Sequence, residues 1–385
     1  MTAGAAAALV SEADRAIASG DPRRAAQLLE QATVAQPDDP ALWMKLAAML
    51  RGSGNPRAAL GAVHKALAIS PLDFTSLLMR ASLLQRLGDP EAPIAWSHAL
   101  AQKPNGELPP QIAAVLADAE AKVEEWTDRR EAQMQAAMAP AEAAASAEEL
   151  ERMRRFRSNA LRKTRPYHSE PTTYHFPGLT EREFHPRRLF PWIEELESQA
   201  EAIAEELAAV MAAERAELVP YIQYDAHMPL AQWKELNRNP DWTAIHLFQN
   251  GDLIEANARH CPRTLKALEG IAQPRVAGAS PNAMFSLLAP NTHIPPHVGV
   301  NNARLVCHLP LVVPDGCWFR VGAETRYWQR GAVLVFDDTI EHEAMNPTDE
   351  LRVVFIFDVW HPDLSAVERE AVAAMVGTEE AAGGL

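Results

Sequence analysis

A period of 34 residues runs through the first part of this chain and limits what it can become. Gly20-Asp21-Pro22, Gly54-Asn55-Pro56 and Gly88-Asp89-Pro90 recur at that spacing. In phase with them come Leu9, Trp43 and Leu77, and then Ala13, Ala47 and Ala81. Pro37 and Pro71 keep the same interval, and Pro104 falls one residue early. A bulky residue followed four positions later by a small one places both on one face of a helix. The alanine lets a second, antiparallel helix come close, and Gly-Asp/Asn-Pro makes the turn between the two. Such a pair cannot bury its apolar face alone, so successive pairs stack into a solenoid. A plain helical bundle is the simpler alternative, but it does not require three residue types to share a phase.

This pattern resembles the tetratricopeptide repeat, whose concave face binds peptides or proteins. The expected organisation is an α-solenoid of tetratricopeptide-like repeats over residues 1–125, a helical linker over 126–165 and a different domain over 166–385. The linker is rich in Ala, Glu and Arg, with strong helix formers such as Met134-Gln135-Ala136-Ala137-Met138, and Pro140 interrupts it. Its basic cluster, Arg152, Arg154, Arg155 and Arg157, reads as a solvated helix face.

At 385 residues the chain has room for two or three domains. No stretch approaches the roughly 18 apolar residues of a membrane span. The apolar start lacks a basic segment ahead of it, so neither a membrane helix nor a signal peptide is expected. Cys261, Cys307 and Cys317 cannot make a disulfide framework and match no zinc spacing, which fits a reducing, cytoplasmic setting. A formal net charge of −15 argues against non-specific nucleic-acid binding. Up to residue 105 there are ten Lys/Arg against nine Asp/Glu, so that acidity lies further along the chain.

After Arg165-Pro166 aromatics and prolines rise, and Phe190-Pro191-Trp192 opens a helix through about Ala213. Beyond it, short apolar runs alternate with turns: Val219 to Ile222, Ala283 to Leu288, Arg304 to Val313, Cys317 to Val321, Ala332 to Phe336 and Leu351 to Val359. Many short strands with Gly/Pro turns predict a sandwich or jelly roll, with the helices before Ala213 and Gly270 covering one face. Within this region His297 lies in Pro296-His297-Val298-Gly299, and His342 in Asp337-Asp338-Thr339-Ile340-Glu341-His342. Ten residues later Arg352 starts an apolar strand, where a buried charge needs a partner. A His, a distant second His and a following strand Arg is the order used by iron enzymes that consume 2-oxoglutarate. Such sites normally complete a facial triad with a carboxylate. Gly299 stands where that carboxylate would fall. By strand alternation Arg304, Val306 and His308 share one face.

The ordered series resembles the aspartyl/asparaginyl β-hydroxylase family of iron(II)/2-oxoglutarate oxygenases, from about Tyr174 to Leu364. It comprises Phe176-Pro177-Gly178-Leu179, Leu189-Phe190-Pro191-Trp192, Pro296-His297-Val298-Gly299, Cys307-His308-Leu309, Gly331 to Asp338, Glu341-His342-Glu343 and Asp358-Val359-Trp360-His361-Pro362. Animal members also place tetratricopeptide repeats ahead of the oxygenase domain. The resemblance implies a double-stranded β-helix, of jelly-roll or cupin-like type, with flanking helices. It implies His297 and His342 as the only protein ligands to Fe(II), with water filling the position beside Gly299. Arg352 and Ser286 would hold the distal carboxylate of 2-oxoglutarate, His308 its metal-chelating carboxylate, and Trp242 would line the pocket. The animal enzymes carry an arginine at the position of Val306, so fewer cosubstrate contacts are implied here. Arg304 shares that face and matches a separate arginine of the family.

The implied reaction is hydroxylation of Asp or Asn side chains in a protein or peptide, consuming O2 and 2-oxoglutarate and releasing succinate and CO2. The repeats favour a protein or peptide held by the solenoid. Hydroxylation of a lipid acyl chain or another small molecule uses the same chemistry. Halogenation is compatible with Gly299 taken alone, and a scaffold with an inactive β-domain is the non-enzymatic alternative.

Overall fold

The computed structural model describes residues 3–213, 218–225, 227, 234 and 237–378. The chain divides into two compact units, Met1–Ala145 and Ser146–Leu385. That division lies inside the stretch read as a linker.

The first unit is helical throughout. Its helices are α1 (Ala3–Ala18), α2 (Pro22–Ala35), α3 (Pro40–Gly52), α4 (Pro56–Ile69), α5 (Phe74–Leu87), α6 (Ala92–Ala101) and α7 (Pro110–Ala144). The phased residues act as their chemistry demands. Gly20, Gly54 and Gly88 all take positive φ, between 65° and 82°, at the turn within each helix pair. Asp21, Asp39, Asn55 and Asp73 cap the helices that follow them by accepting from backbone N–H groups. Ala13, Ala47 and Ala81 are fully buried where the paired helices meet. Trp43 donates from Nε1 to the Pro37 carbonyl at 2.7 Å, tying the phased tryptophan to the phased proline. This unit is a set of tetratricopeptide-like repeats.

Pro140 does not end its helix, because α7 continues through it to Ala144. So close to the C-terminus a proline removes one hydrogen bond with little helix left to disrupt. In the basic cluster Arg152 and Arg154 are exposed as expected, and Arg155 departs from that reading. On α8 (Ala147–Ala160), Arg155 pairs with Glu183 and, at 2.9 Å, with Glu324, so it grips the second unit's sheet rather than facing solvent.

The rest of the second unit comprises α9 (Ile193–Ser198), α10 (Ala200–Met211), β1 (Val219–Pro220), β2 (Trp242–Gln249), β3 (Asp252–Leu253), α11 (Glu255–Ala258), α12 (Pro262–Glu269), β4 (Ala283–Leu288), β5 (Thr292–His297), β6 (Arg304–Val312), β7 (Trp318–Val321), β8 (Glu324–Tyr327), β9 (Leu334–Phe336), β10 (His342–Asn346), β11 (Arg352–Trp360) and α13 (Ala366–Val376). Two sheets form, both antiparallel. The larger runs β1-β2-β4-β11-β6-β9, with β3 on β2, and the smaller runs β5-β10-β7-β8. Alternation sorts the larger sheet's side chains. Val353, Phe355, Phe357, Leu305, Cys307 and Leu309 pack with α9, α10 and α12. Val354, Ile356, Met284 and Trp242 pack with Ile294, Phe319 and Val321 of the smaller sheet. The site lies between the sheets because that second face is where they meet.

Strands β2, β3, β5, β8 and β10 go beyond the runs seen in the sequence. The Pro295-Pro296 pair hides β5, which is tolerated because β5 is an edge strand. No helix among the described residues is long and apolar enough to cross a membrane.

His185, 5% exposed, packs edge-on against His361 with ring centroids 5.1 Å apart, and neither His185 ring nitrogen has a hydrogen-bond partner among the described residues. Burial, and then the neighbouring His361, pushes its pKa down to about 3. In the unfolded chain it titrates near ~6.5, so the unfolded state binds one more proton between the two values. The contribution is therefore complete above ~6.5 and is lost as pH falls toward 3, at about 1.4 kcal/mol per pH unit. His185→Phe is expected to flatten the acid limb of a stability-versus-pH curve by that one-proton slope. Urea unfolding at stepped pH measures it, and an unchanged slope counts against a buried neutral His185.

Candidate active site

The pairing of β5 with β10 sets His297 directly opposite His342, with ring centroids 4.0 Å apart. Nδ1 of His297 lies 2.7 Å from the Pro295 carbonyl, and Nδ1 of His342 lies 3.1 Å from the Ile340 carbonyl. A carbonyl can only accept, so the hydrogen-bond network assigns the proton to Nδ1 in both rings and the lone pair to Nε2. Burial is the main reason both rings stay neutral, pushing His297 down to about 3 and His342 to about 4. Neutral imidazoles with Nδ1 tied to backbone are in the form that binds metals.

The space beside Gly299 holds a carboxylate from elsewhere in the chain. A Cβ at Gly299 would overlap the Asp338 carboxyl group, whose most distant atom, Oδ1, would be only 2.8 Å away. The Gly299 N–H donates to the Asp338 carbonyl at 2.7 Å, which fixes this approach. Asp338 in turn pairs with Arg304 at 3.0 Å, both buried. Gly299→Ala is therefore expected to push the carboxylate off Arg304 and destabilise the domain by about 1–3 kcal/mol. Its effect should be strongly non-additive with Asp338→Ala, since both act on one contact. Denaturant unfolding of the two single variants and the double variant tests this, and simple additivity would refute it.

Arg352, Ser286, Trp242 and His308 line one cavity of about 220 Å³ with the two histidines. Trp242 Nε1 donates to Ser286 Oγ at 3.0 Å, leaving the hydroxyl proton for another acceptor. Tyr221 stacks on Trp242 at 4.0 Å and 10°. Arg352 is 1% exposed, yet no carboxylate lies within ion-pair distance of it among the described residues. It has one long bond, 3.3 Å to the Ser286 carbonyl, its Nε has no partner, and it sits 4.9 Å from the Trp328 ring centre. Burial pushes its pKa down to about 10, so it stays charged at neutral pH. His308 is held well below its usual pKa by burial and then by Arg352, and its Nδ1 is also unpartnered. Asn346, fully buried, braces this end by donating to the carbonyls of Leu288, Ala289 and Glu350.

All six residues singled out in the sequence thus line one cavity, together with Arg304 and Val306. Among the described residues no three His, Cys, Asp or Glu side chains are grouped to hold a metal. What converges is three neutral imidazoles, a nearby carboxylate and a guanidinium with no carboxylate partner among the described residues.

Comparison with known proteins bears directly on this arrangement. A family model described as aspartyl/asparaginyl beta-hydroxylase matches residues 197–362, and a tetratricopeptide-repeat model matches residues 6–49. Residues 197–362 are thus similar to aspartyl/asparaginyl beta-hydroxylases. The aspartyl/asparaginyl beta-hydroxylase of Homo sapiens is 37% identical to the chain over 148 residues, covering 38% of this chain and 19% of that protein. Aspartate beta-hydroxylase domain-containing protein 2 of Homo sapiens is 39% identical over 145 residues, covering 36% of this chain and 39% of that protein. The chain thus spans well under two thirds of these relatives. The Sgt2 TPR domain from Aspergillus fumigatus resembles the repeat region at 22% identity and a TM-score of 0.28, over 32% of this chain and 82% of that one.

Within the matched region, Asp338, Tyr221 and Trp328 line the same cavity and were not assigned by sequence reasoning. Asp338 left a faint signal: a second aspartate four residues before His342, where a buried strand end needs a cation. Tyr221 and Trp328 left none, because aromatic residues are common in any core.

Proposed function

We propose that the hydroxylase domain performs iron(II)- and 2-oxoglutarate-dependent hydroxylation of aspartyl or asparaginyl side chains in a protein or peptide. The observation that carries this reading is Arg352, a fully buried cation without a carboxylate partner among the described residues, in the same cavity as two neutral histidines. A buried guanidinium left this way is matched by an anionic ligand, and its planar fork suits a carboxylate. The side chains fit the implied groups: His297 and His342 would hold iron(II), and Arg352, Ser286 and His308 would hold 2-oxoglutarate. With O2, these groups would supply the oxidant for C–H hydroxylation, with succinate and CO2 as co-products.

The protein's own share is binding, orientation and exclusion of water. The Pro295 and Ile340 carbonyls hold the Nδ1 protons and aim the two rings. Trp242, anchored through Ser286 and stacked by Tyr221, forms a rigid wall. Asp338, fixed by Arg304, supplies the negative charge that residue 299 lacks, close enough to raise the proton affinity of His297. The repeats, as protein-interaction modules, support a protein or peptide substrate. The buried free thiols of Cys261, Cys307 and Cys317 support a reducing compartment such as the cytoplasm.

The test is mass spectrometry of captured or library peptides incubated with the protein, Fe(II), 2-oxoglutarate and O2. Gain of one oxygen atom on Asp or Asn, matched by succinate, is expected. Because only two imidazoles hold the metal, Mn(II) should bind at least ~10-fold tighter when 2-oxoglutarate is present. Equal affinity in both titrations would contradict the two-histidine reading.

A further inference from the structure

Beside the cavity that contains the two histidines is a second one of about 240 Å³, and the two share Tyr221, Tyr224, Arg304, Val306, Asp338 and Ile356. The second is lined largely by polar groups. Among the described residues that line it, Arg304 is the one cationic side chain, against two carboxylates, Asp338 and Asp358. Arg304 is already paired with Asp338 at 3.0 Å. Asp358 is buried and accepts from Ser280 Oγ at 2.6 Å and from the Asn282 N–H at 3.1 Å. His246 is 8% exposed, and burial pushes its pKa down to about 4, so it adds no positive charge at neutral pH. Its Nδ1 and Arg304 Nε are buried without hydrogen-bond partners among the described residues. Val306, between the two cavities, is apolar and brings no charge.

We infer that this second cavity receives the substrate side chain and selects a neutral carboxamide, an asparagine, over the corresponding aspartate. The inference rests on the hydroxylase reading above and narrows its substrate class. A carboxylate would be a third acidic group beside two others, facing an arginine whose charge is already matched, and like charges in a desolvated site oppose binding. A carboxamide presents one acceptor and two donor hydrogens. The cavity offers the complement, with a donor at Arg304 Nε and acceptor oxygens on Asp338 and Asp358. Leaving such buried groups unpaired disfavours a ligand that cannot satisfy them.

The test uses the full chain with Mn(II) and 2-oxoglutarate, without O2, at pH 7.5. Acetylated, amidated pentaglycine peptides carrying Asn, Asp or Lys at the centre are titrated and followed by ligand-observed NMR. The asparagine peptide is expected to bind about 10-fold or more tightly than the aspartate peptide. Asp358→Asn should narrow that ratio by lowering the local negative charge, and Val306→Arg should reverse it by adding a cation to the shared wall. Thermal melts identify any variant that fails to fold, so the two substitutions serve as independent checks. An aspartate peptide that binds as well as the asparagine one, a lysine peptide that binds more tightly than either, or an asparagine peptide that does not bind would overturn the inference. Retained 2-oxoglutarate binding in those cases would leave the hydroxylase reading standing. Loss of 2-oxoglutarate binding would remove both.

Discussion

Arg352→Met is expected to leave thermal stability unchanged or raise it, while weakening 2-oxoglutarate binding by about 30-fold or more. The two effects have opposite signs because they come from one charge. In the ligand-free chain Arg352 is a desolvated cation with no carboxylate partner among the described residues, and burial has already pushed its pKa down to about 10. Replacing it with an apolar side chain of similar length removes that desolvation and keeps the packing against Trp328. An anionic ligand loses the guanidinium that would compensate its own burial, a loss of about 2–5 kcal/mol. Melting curves with and without 2-oxoglutarate separate the two. Destabilisation of the ligand-free protein with no change in its response to 2-oxoglutarate would make Arg352 a structural residue and would remove the main support for the proposed function.

His342→Ala should reduce succinate formation by at least ~100-fold, more than the loss seen when only a residue behind a metal ligand is removed. If His297 and His342 are the two metal ligands proposed above, each would be half of the protein's hold on a metal. His342 also lies across from His297 in the β5–β10 ladder, so its loss leaves a gap beside Phe319 and Phe336. A cavity alone lowers stability by about 2–5 kcal/mol. A Mn(II) titration is therefore needed beside the activity assay. Retained metal affinity with lost activity would assign His342 a role other than ligation, and retention of both would exclude it from the site.

How much was legible in advance follows from range. Gly20, Gly54 and Gly88 needed only their own turn to take positive φ, and Ala13, Ala47 and Ala81 needed only the neighbouring helix. Their spacing therefore carried the repeat unit. Strand alternation likewise put Arg304, Val306 and His308 on the face that lines the cavity. Pro295-Pro296 masked β5 because edge-strand status is a property of the assembled sheet. Arg155 looked like part of a solvated face because its partners, Glu183 and Glu324, are distant in sequence.

The sequence by itself determined which residue types were available: two histidines, a strand arginine, a glycine in place of a carboxylate, and repeats that can only stack. Only the tertiary structure decided that Asp338 fills the space beside Gly299, that Arg304 is spent on Asp338, and that Arg352 has no such partner among the described residues. Periodicity reports local geometry, whereas the pairing of buried charges depends on strand register between segments far apart in the chain.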